Sequence, residues 1–130
     1  MELRKYVLVE DGFRNVEQDG KIIGFQVKMR IPYYRGVPLC LVGDVLISVD
    51  GADYTGDCLR FSFGGNTYTL DEMTTVTRQY WYYGAAATVT VLKEGGLEKG
   101  VHRVGAFASM RISYMSKEEL TGNYADLTIE

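Results

Sequence analysis

The chain has 130 residues, 46% of them apolar and 24% charged, with a formal net charge of −3. That length fits a single domain spanning residues 1–130, and a domain of this size buries roughly two-thirds of the surface its unfolded chain exposes, so it needs no disulfide or metal to hold together. The acidic balance, with no basic cluster larger than Arg4-Lys5, excludes a nucleic-acid surface, and no apolar run approaches the roughly 18 residues of a membrane-spanning helix.

Read in chain order, the elements are almost all strands. Phe13 to Gln18 and Lys21 to Ile31 flank Asp19-Gly20. An Asp-Gly pair between extended runs predicts a hairpin, because the tight turn needs positive φ at both central positions. The second run alternates, with Phe25, Val27, Met29 and Ile31 on one face and Gly24, Gln26, Lys28 and Arg30 on the other, the period of a half-buried strand. Pro32 ends the ladder or sits at an edge, since it has no N–H to donate. Val45, Ile47 and Val49 repeat the pattern up to a second turn signal, Asp50-Gly51. Leu59, Phe61 and Phe63 alternate again, run into Gly64-Gly65-Asn66 and return through Thr67 to Leu70 as a third hairpin. Asp71, followed by Glu72 to Val76, predicts one helical turn with Asp71 as its N-cap. The β-branched Thr74, Thr75 and Val76 keep it short.

Tyr80 to Tyr83 reads as a strand. Ala87, Val89 and Val91 then alternate with threonines, and a loop with Gly95, Gly96 and Gly100 precedes the longest run. There Val104, Ala106, Ala108, Met110, Ile112 and Tyr114 share a face. Ala125 to Ile129 is a further short strand. Roughly eight or nine regularly spaced strands mean a sandwich or a barrel, and they leave little room for the crossover helices of a parallel sheet. The fold predicted is all-β: a mainly antiparallel, jelly-roll-like β-sandwich with at most one short helical turn.

No catalytic set emerges from the residue types. His102 is the lone histidine; it precedes the long strand and reads as a solvated strand-end side chain, with nothing local to orient it as a base. One histidine and two distant cysteines do not make a zinc site. Asp50, Asp53 and Asp57 miss the ligand alternation of a calcium loop and read as turn chemistry. Asp71-Glu72 are adjacent, unlike the facing carboxylates of sugar hydrolysis. The pairs Gly64-Gly65 and Gly95-Gly96 fit no phosphate-binding loop. No catalytic residue and no metal ligand is assigned in this chain.

Two aromatic clusters remain in a sequence with ten tyrosines and two prolines. Ile31 to Leu39 holds both prolines together with Tyr33, Tyr34 and Arg35. It is either a stiff turn whose tyrosines cover the core edge or a strand-end loop that binds a partner. In Tyr80-Trp81-Tyr82-Tyr83, two side chains must face away from the other two; one pair fits a core, and the other is exposed or covered.

Four segments then carry a family likeness. Asp11-Gly12-Phe13-Arg14-Asn15-Val16, the run Ile31 to Leu39, the run Gly65 to Met73, and Arg111-Ile112-Ser113-Tyr114-Met115 occur in order across most of the chain. Together they resemble the C-glycoside deglycosidase β subunit family. The resemblance implies a β-sandwich that packs on a larger, catalytic α subunit of TIM-barrel fold and helps to shape its pocket. It implies a divalent metal, manganese, in that α subunit, and no cofactor in this chain. The substrate implied is a 3-oxo-C-glycoside of a plant polyphenol, such as an oxidised flavonoid C-glucoside, cleaved by β-elimination at or near the subunit interface. Tyr33, Tyr34, Arg35, Asn66, Tyr68 and Trp81 are the residues expected to line the interface or the substrate pocket. The alternatives from other classes are a stand-alone carbohydrate-binding module, with Trp81 and tyrosines stacked on sugar rings, and a cupin-like or lipocalin-like enzyme, for which a single histidine is too few.

The first ten residues lack an apolar signal core, so the expected compartment is the cytoplasm. Cys40 and Cys58 are accordingly expected to be reduced, a single disulfide being the alternative. Thiol titration under denaturing, non-reducing conditions should count two free thiols in fresh protein; a count of zero contradicts this reading.

Overall fold

Alternating apolar side chains, interrupted by turn pairs, set the architecture. The computed structural model describes residues 7–31, 36–82, 84–110 and 120–129. Among these residues the strands are β1 (Leu8–Gln18), β2 (Lys21–Arg30), β3 (Val37–Pro38), β4 (Val42–Val49), β5 (Ala52–Thr55), β6 (Leu59–Phe63), β7 (Asn66–Tyr68), β8 (Tyr80–Trp81), β9 (Ala86–Leu92), β10 (Gly100–Met110) and β11 (Thr121–Ile129). One short helix, α1 (Leu70–Met73), and two 3-10 turns, at Leu39–Leu41 and Gly56–Cys58, interrupt them. A five-stranded sheet runs β1-β2-β9-β6-β7 and a four-stranded sheet β11-β10-β4-β5, with β3 and β8 forming a separate pair. Every pairing is antiparallel. No helix among the described residues is long and apolar enough to cross a membrane.

The hairpins form where the turn pairs predict them. Asp19 and Gly20 have φ of 53° and 80°, and Asp50 and Gly51 have 50° and 88°. Asp tolerates this left-handed region because its short polar side chain bonds locally, and Gly has no Cβ to clash. These turns fix the register of β1 on β2 and of β4 on β5, and register decides which side chains enter the core, since a one-residue slip would invert both faces. In the register observed, Phe25, Val27, Met29, Ile31, Val45, Ile47, Val49, Phe61, Val89, Val91, Val104, Ala106, Ala108 and Met110 are all buried. Ile112 and Tyr114, expected on the same face as Met110, lie outside the described residues.

The two sheets meet through these faces. The Phe25 ring of β2 stands edge-on to Tyr54 of β5 at 5.6 Å and to Phe13 of β1 at 6.3 Å. At the sheet margin the Leu8 amide donates to Asn123 Oδ1 of β11 at 2.8 Å. Edge strand β1 is irregular. Val9 pairs with Lys28 and Arg14 with Gln26, so four residues, Glu10 to Phe13, oppose Val27 alone. Such a bulge re-aims side chains: Glu10 and Asp11 point to solvent while Phe13 is driven into the core.

Several expectations need correction. The helix begins two residues earlier than read, and its N-cap is Thr69, not Asp71. Thr69 Oγ1 accepts the Glu72 amide at 3.1 Å, and Glu72 Oε1 accepts the Thr69 amide at 2.8 Å. Thr69-Leu70-Asp71-Glu72 is thus a complete capping box, which satisfies two orphan donors where an Asp71 cap would satisfy one. The same box ends the return strand at Tyr68 and takes Leu70 into the helix. The strand read over Tyr80 to Tyr83 pairs only at Tyr80–Trp81, while Tyr83 lies outside the described residues. The last strand starts at Thr121 rather than Ala125, because β10 is long enough to pair Ala108 with Thr121. Strands β3 and β5 escape the pattern, one by its two-residue length and the other because edge position exposes Ala52, Asp53 and Thr55.

Phe25→Ala removes a ring that contacts both sheets. It should cost about 3–5 kcal/mol of unfolding free energy by urea denaturation, the usual cost of an aromatic truncation in a core. Val101→Thr, on an exposed position of β10, should stay within about 0.5 kcal/mol. Equal costs would contradict the packing described.

Candidate functional site

Of the residues named from sequence, Asn66 and Tyr68 lie on the β7 margin of the five-stranded sheet. The β6–β7 hairpin pairs Phe63 with Asn66 and Phe61 with Tyr68. Asn66 is exposed and Tyr68 half-buried. The Tyr68 hydroxyl donates to Gln79 Oε1 at 2.6 Å, and Gln79 Nε2 donates to the Phe63 carbonyl at 3.0 Å. The Gln79 backbone carbonyl accepts the Leu39 amide at 2.9 Å. One amide side chain therefore ties both strands of the hairpin to the segment that enters β8.

Beyond Gln79 the chain alternates outward, inward, outward. Tyr80 is 44% exposed, Trp81 is fully buried and Tyr82 is 62% exposed. Trp81 packs edge-on to Phe61 at 5.1 Å, and its indole N–H donates to the Ala85 carbonyl at 2.9 Å. The structure places this residue in the core, where it offers no surface to a partner or a sugar. Tyr82 lies outside, its ring 6.2 Å from that of Phe63. Strand β3 pairs Val37 with Trp81, and Gly36 sits so close that a Cβ there would stand 2.9 Å from the Trp81 carbonyl oxygen. Tyr33, Tyr34 and Arg35 lie outside the described residues. Asn66 and Tyr68 thus share a margin with Phe63, Gln79, Tyr80 and Tyr82. Gln79 was missed in the sequence because an isolated glutamine after an arginine carries no periodic or motif signal.

The titratable groups gather elsewhere. His102 is not a solvated strand-end residue: it is the third residue of β10, on the inward face, with its side chain 12% exposed. Its Nδ1 lies 2.6 Å from Asp50 Oδ2 and its Nε2 lies 2.7 Å from the Glu98 carbonyl oxygen. Asp50 Oδ1 accepts the Arg103 amide at 2.9 Å. The expectation that nothing orients this ring fails because Asp50, read only as a turn residue, reaches across the end of the sandwich. The Glu98 carbonyl first, and then the Asp50 carboxylate, raise the His102 pKa against the opposing effect of burial. The His102 hydrogen bond, followed by the Arg103 amide, lowers that of Asp50. With both ring nitrogens occupied, His102 is not free to take a proton from a substrate. Cys40 and Cys58 are unbonded, in separate 3-10 turns. Among the described residues no group of three or more His, Cys, Asp or Glu could hold a metal.

These features define a class first: an antiparallel β-sandwich with exposed tyrosines along one margin. The C-glycoside deglycosidase beta subunit family matches this chain over residues 3–114. The chain is 34% identical over 114 residues to a C-glycoside deglycosidase beta subunit of Eubacterium cellulosolvens, covering 87% of this chain and 78% of the relative. It is 30% identical over 112 residues to a 3'-dehydrocarminate deglycosidase beta subunit of a Microbacterium species, covering 86% and 80%. It is 27% identical over 96 residues to a C-glycoside deglycosidase beta subunit of Arthrobacter globiformis, covering 71% and 70%. The chain belongs to the C-glycoside deglycosidase beta subunit family.

The hydrogen bond between Tyr68 and Gln79 is testable on its own. In a double-mutant cycle with Tyr68→Phe and Gln79→Ala, the coupling energy should be about 0.5–1.5 kcal/mol. A coupling indistinguishable from zero would remove Gln79 as the organiser of this margin.

Proposed function

We propose that this chain is the small, non-catalytic subunit of a heteromeric, cytoplasmic C-glycoside deglycosidase, and that its tyrosine margin packs against a catalytic α subunit of TIM-barrel fold. Family membership supports the subunit role. The observation that carries the docking assignment is the margin itself, where Gln79 holds the β6–β7 hairpin against the segment that turns Tyr80 and Tyr82 to solvent. Tyrosine suits such a surface because it joins large contact area to a hydrogen-bonding tip at low conformational cost. Tyr33, Tyr34 and Arg35 are expected to meet the same partner.

The reaction proposed for the assembly is β-elimination across the C–C glycosidic bond of a 3-oxo-C-glycoside, flavonoid C-glucosides being the expected class. The ketone at C3 acidifies the proton at C2, and a base on the partner removes it to give an enolate. As the ketone re-forms, a double bond forms between C1 and C2. The bond from C1 to the aglycone breaks, and its electron pair leaves with the aglycone, which takes up a proton. A relative named for a 3'-dehydro compound fits an oxidised sugar as substrate. A divalent metal, manganese, is assigned to the partner, and this chain's part is to close and shape the pocket. The burial of Trp81 counts against the stand-alone carbohydrate-binding reading, which depends on that ring being free to stack.

The test is co-purification of Tyr34→Ala, Arg35→Ala, Tyr68→Ala and Tyr82→Ala variants with the α subunit, after each is shown to fold. A buried anchor among them should weaken association by at least about 2 kcal/mol, roughly thirtyfold in affinity, with loss of C-glycoside cleavage in proportion. If all four assemble and cleave like the parent, the margin is not the contact.

A further inference from the structure

The loop from β9 to β10 packs beside the start of β2 and carries a second set of polar contacts, centred on His102. Its two ring nitrogens face two acceptors. A carbonyl oxygen carries no proton, so Nε2 must donate to Glu98 O. Asp50 Oδ1 accepts the Arg103 amide at 2.9 Å and the Asp50 pKa is lowered, so near neutrality Oδ2 is an ionised carboxylate oxygen, an acceptor that Nδ1 meets at 2.6 Å by donating. The geometry is that of an imidazolium. Three pieces of chain meet there: the β4–β5 turn through Asp50, β10 through His102, and the loop between β9 and β10 through Glu98.

That loop also borders a groove. A cavity of about 570 Å³ is lined by Lys99 together with the β1 bulge (Glu10, Asp11, Phe13, Arg14) and Ile22. Phe13, in its wall, touches the His102 ring edge-on at 6.2 Å. Further back, the loop is held by Asn15, which accepts the Leu97 amide at 2.8 Å and donates to the Leu97 carbonyl at 2.9 Å. At its C-terminal end, just before Lys99, the tie to the rest of the fold is the His102 bond.

We propose that His102, protonated at both ring nitrogens, is a pin that fixes the Glu98–Lys99 segment at the mouth of this groove, and that loss of the proton releases the segment and makes the groove's shape depend on pH. A neutral imidazole has one N–H and one lone pair. It can keep Asp50 or the Glu98 carbonyl but cannot donate to both, and the orphaned acceptor turns to water. The charged groups around the ring are Asp50 from the β4–β5 turn, Glu98 and Lys99 from the loop, and Arg103 from β10, with Glu10, Asp11 and Arg14 on the far side of the groove. Strand β1 presents Phe13 to the ring and β11 pairs Leu127 opposite it, and neither of these titrates. The shifts agree with the geometry: His102 is raised and Asp50 lowered. The contribution of His102 to stability is therefore complete below the ordinary imidazole value and is lost as pH rises through the raised one. That of Asp50 is complete above the ordinary carboxylate value and is lost as pH falls through the lowered one. The pin is fully set between those limits.

His102 is the lone histidine of the chain, so its ring resonances can be followed without assignment by mutation. Nitrogen-15 spectra of the ring across pH 5 to 10 should show both nitrogens protonated at the acid end, with a midpoint above about 6.5. As pH passes that midpoint, the amide-exchange protection factor of Leu97 should drop at least about fivefold, the loss that follows release of one neighbouring hydrogen bond. Asp50→Asn keeps the turn, since Asn also adopts positive φ, and should lower the midpoint and move the loss of protection with it. A wild-type midpoint at or below 6.5, or Leu97 protection that ignores the ring's titration, would overturn the proposal. If Asp50→Asn fails to fold, the wild-type pair of measurements decides alone.

Discussion

The structure depends on one constraint: each strand of the two large sheets must turn one row of side chains toward the facing sheet. Phe25 shows how this works, since it touches Phe13 within its own sheet and Tyr54 on the other. Nothing in the backbone ladder alone specifies that row, because antiparallel strands can pair in any register. The turns supply the missing information. Asp19-Gly20 and Asp50-Gly51 allow only tight connections of matching twist, and each therefore selects the register that buries Phe25 or Ile47. Turn chemistry and core packing agree, and that agreement gives a single fold rather than an ensemble of slipped sheets.

The same alternation makes the tyrosine margin. In the run Tyr80-Trp81-Tyr82 the period of two sends Trp81 inward and both tyrosines outward. A fully buried indole with its N–H satisfied by Ala85 is a firm anchor for so short a strand, and β8 pairs with β3 over only two residues. The segment that carries the exposed tyrosines is held by this buried neighbour and by Gln79 before it. Trp81 thus serves the surface without belonging to it.

Much of this was legible in the sequence, and the failures have physical causes. Strands with a buried face announce themselves by alternation, so β2, β4, β6, β9 and the start of β10 are readable from Phe25, Ile47, Phe61, Val89 and Ala106. Strand β5 is an edge with Tyr54 as its one inward side chain, so it has no pattern to read. The helix was located but its cap misplaced, because Asp is as good a cap as Thr in isolation and the reciprocal bond from Glu72 decided between them. Of the site, Asn66 and Tyr68 could be named from their place after a turn, whereas Gln79 acts through a contact eleven residues away in sequence. The His102–Asp50 bond spans fifty-two residues. A pairing of that kind exists once β4 and β10 lie side by side, and no local window contains it.

The His102 pair and the tyrosine margin show two ways in which one scaffold handles polar groups. At the margin, neutral donors and acceptors are matched around Gln79. At the other site a charge is held against the inner face of the sandwich, 12% exposed, where desolvation opposes it. It persists because two acceptors compensate the ring and an amide compensates the carboxylate, in line with the rule that a partly buried charge is tolerated when paired and hydrogen-bonded. Asp50 also carries a positive φ that only a small set of residues accepts. One residue therefore closes a hairpin, fixes the register of β4 on β5 and stabilises an imidazolium. Asn at this position would retain the first two roles and lose the third, which separates the electrostatic contribution of Asp50 from its conformational one.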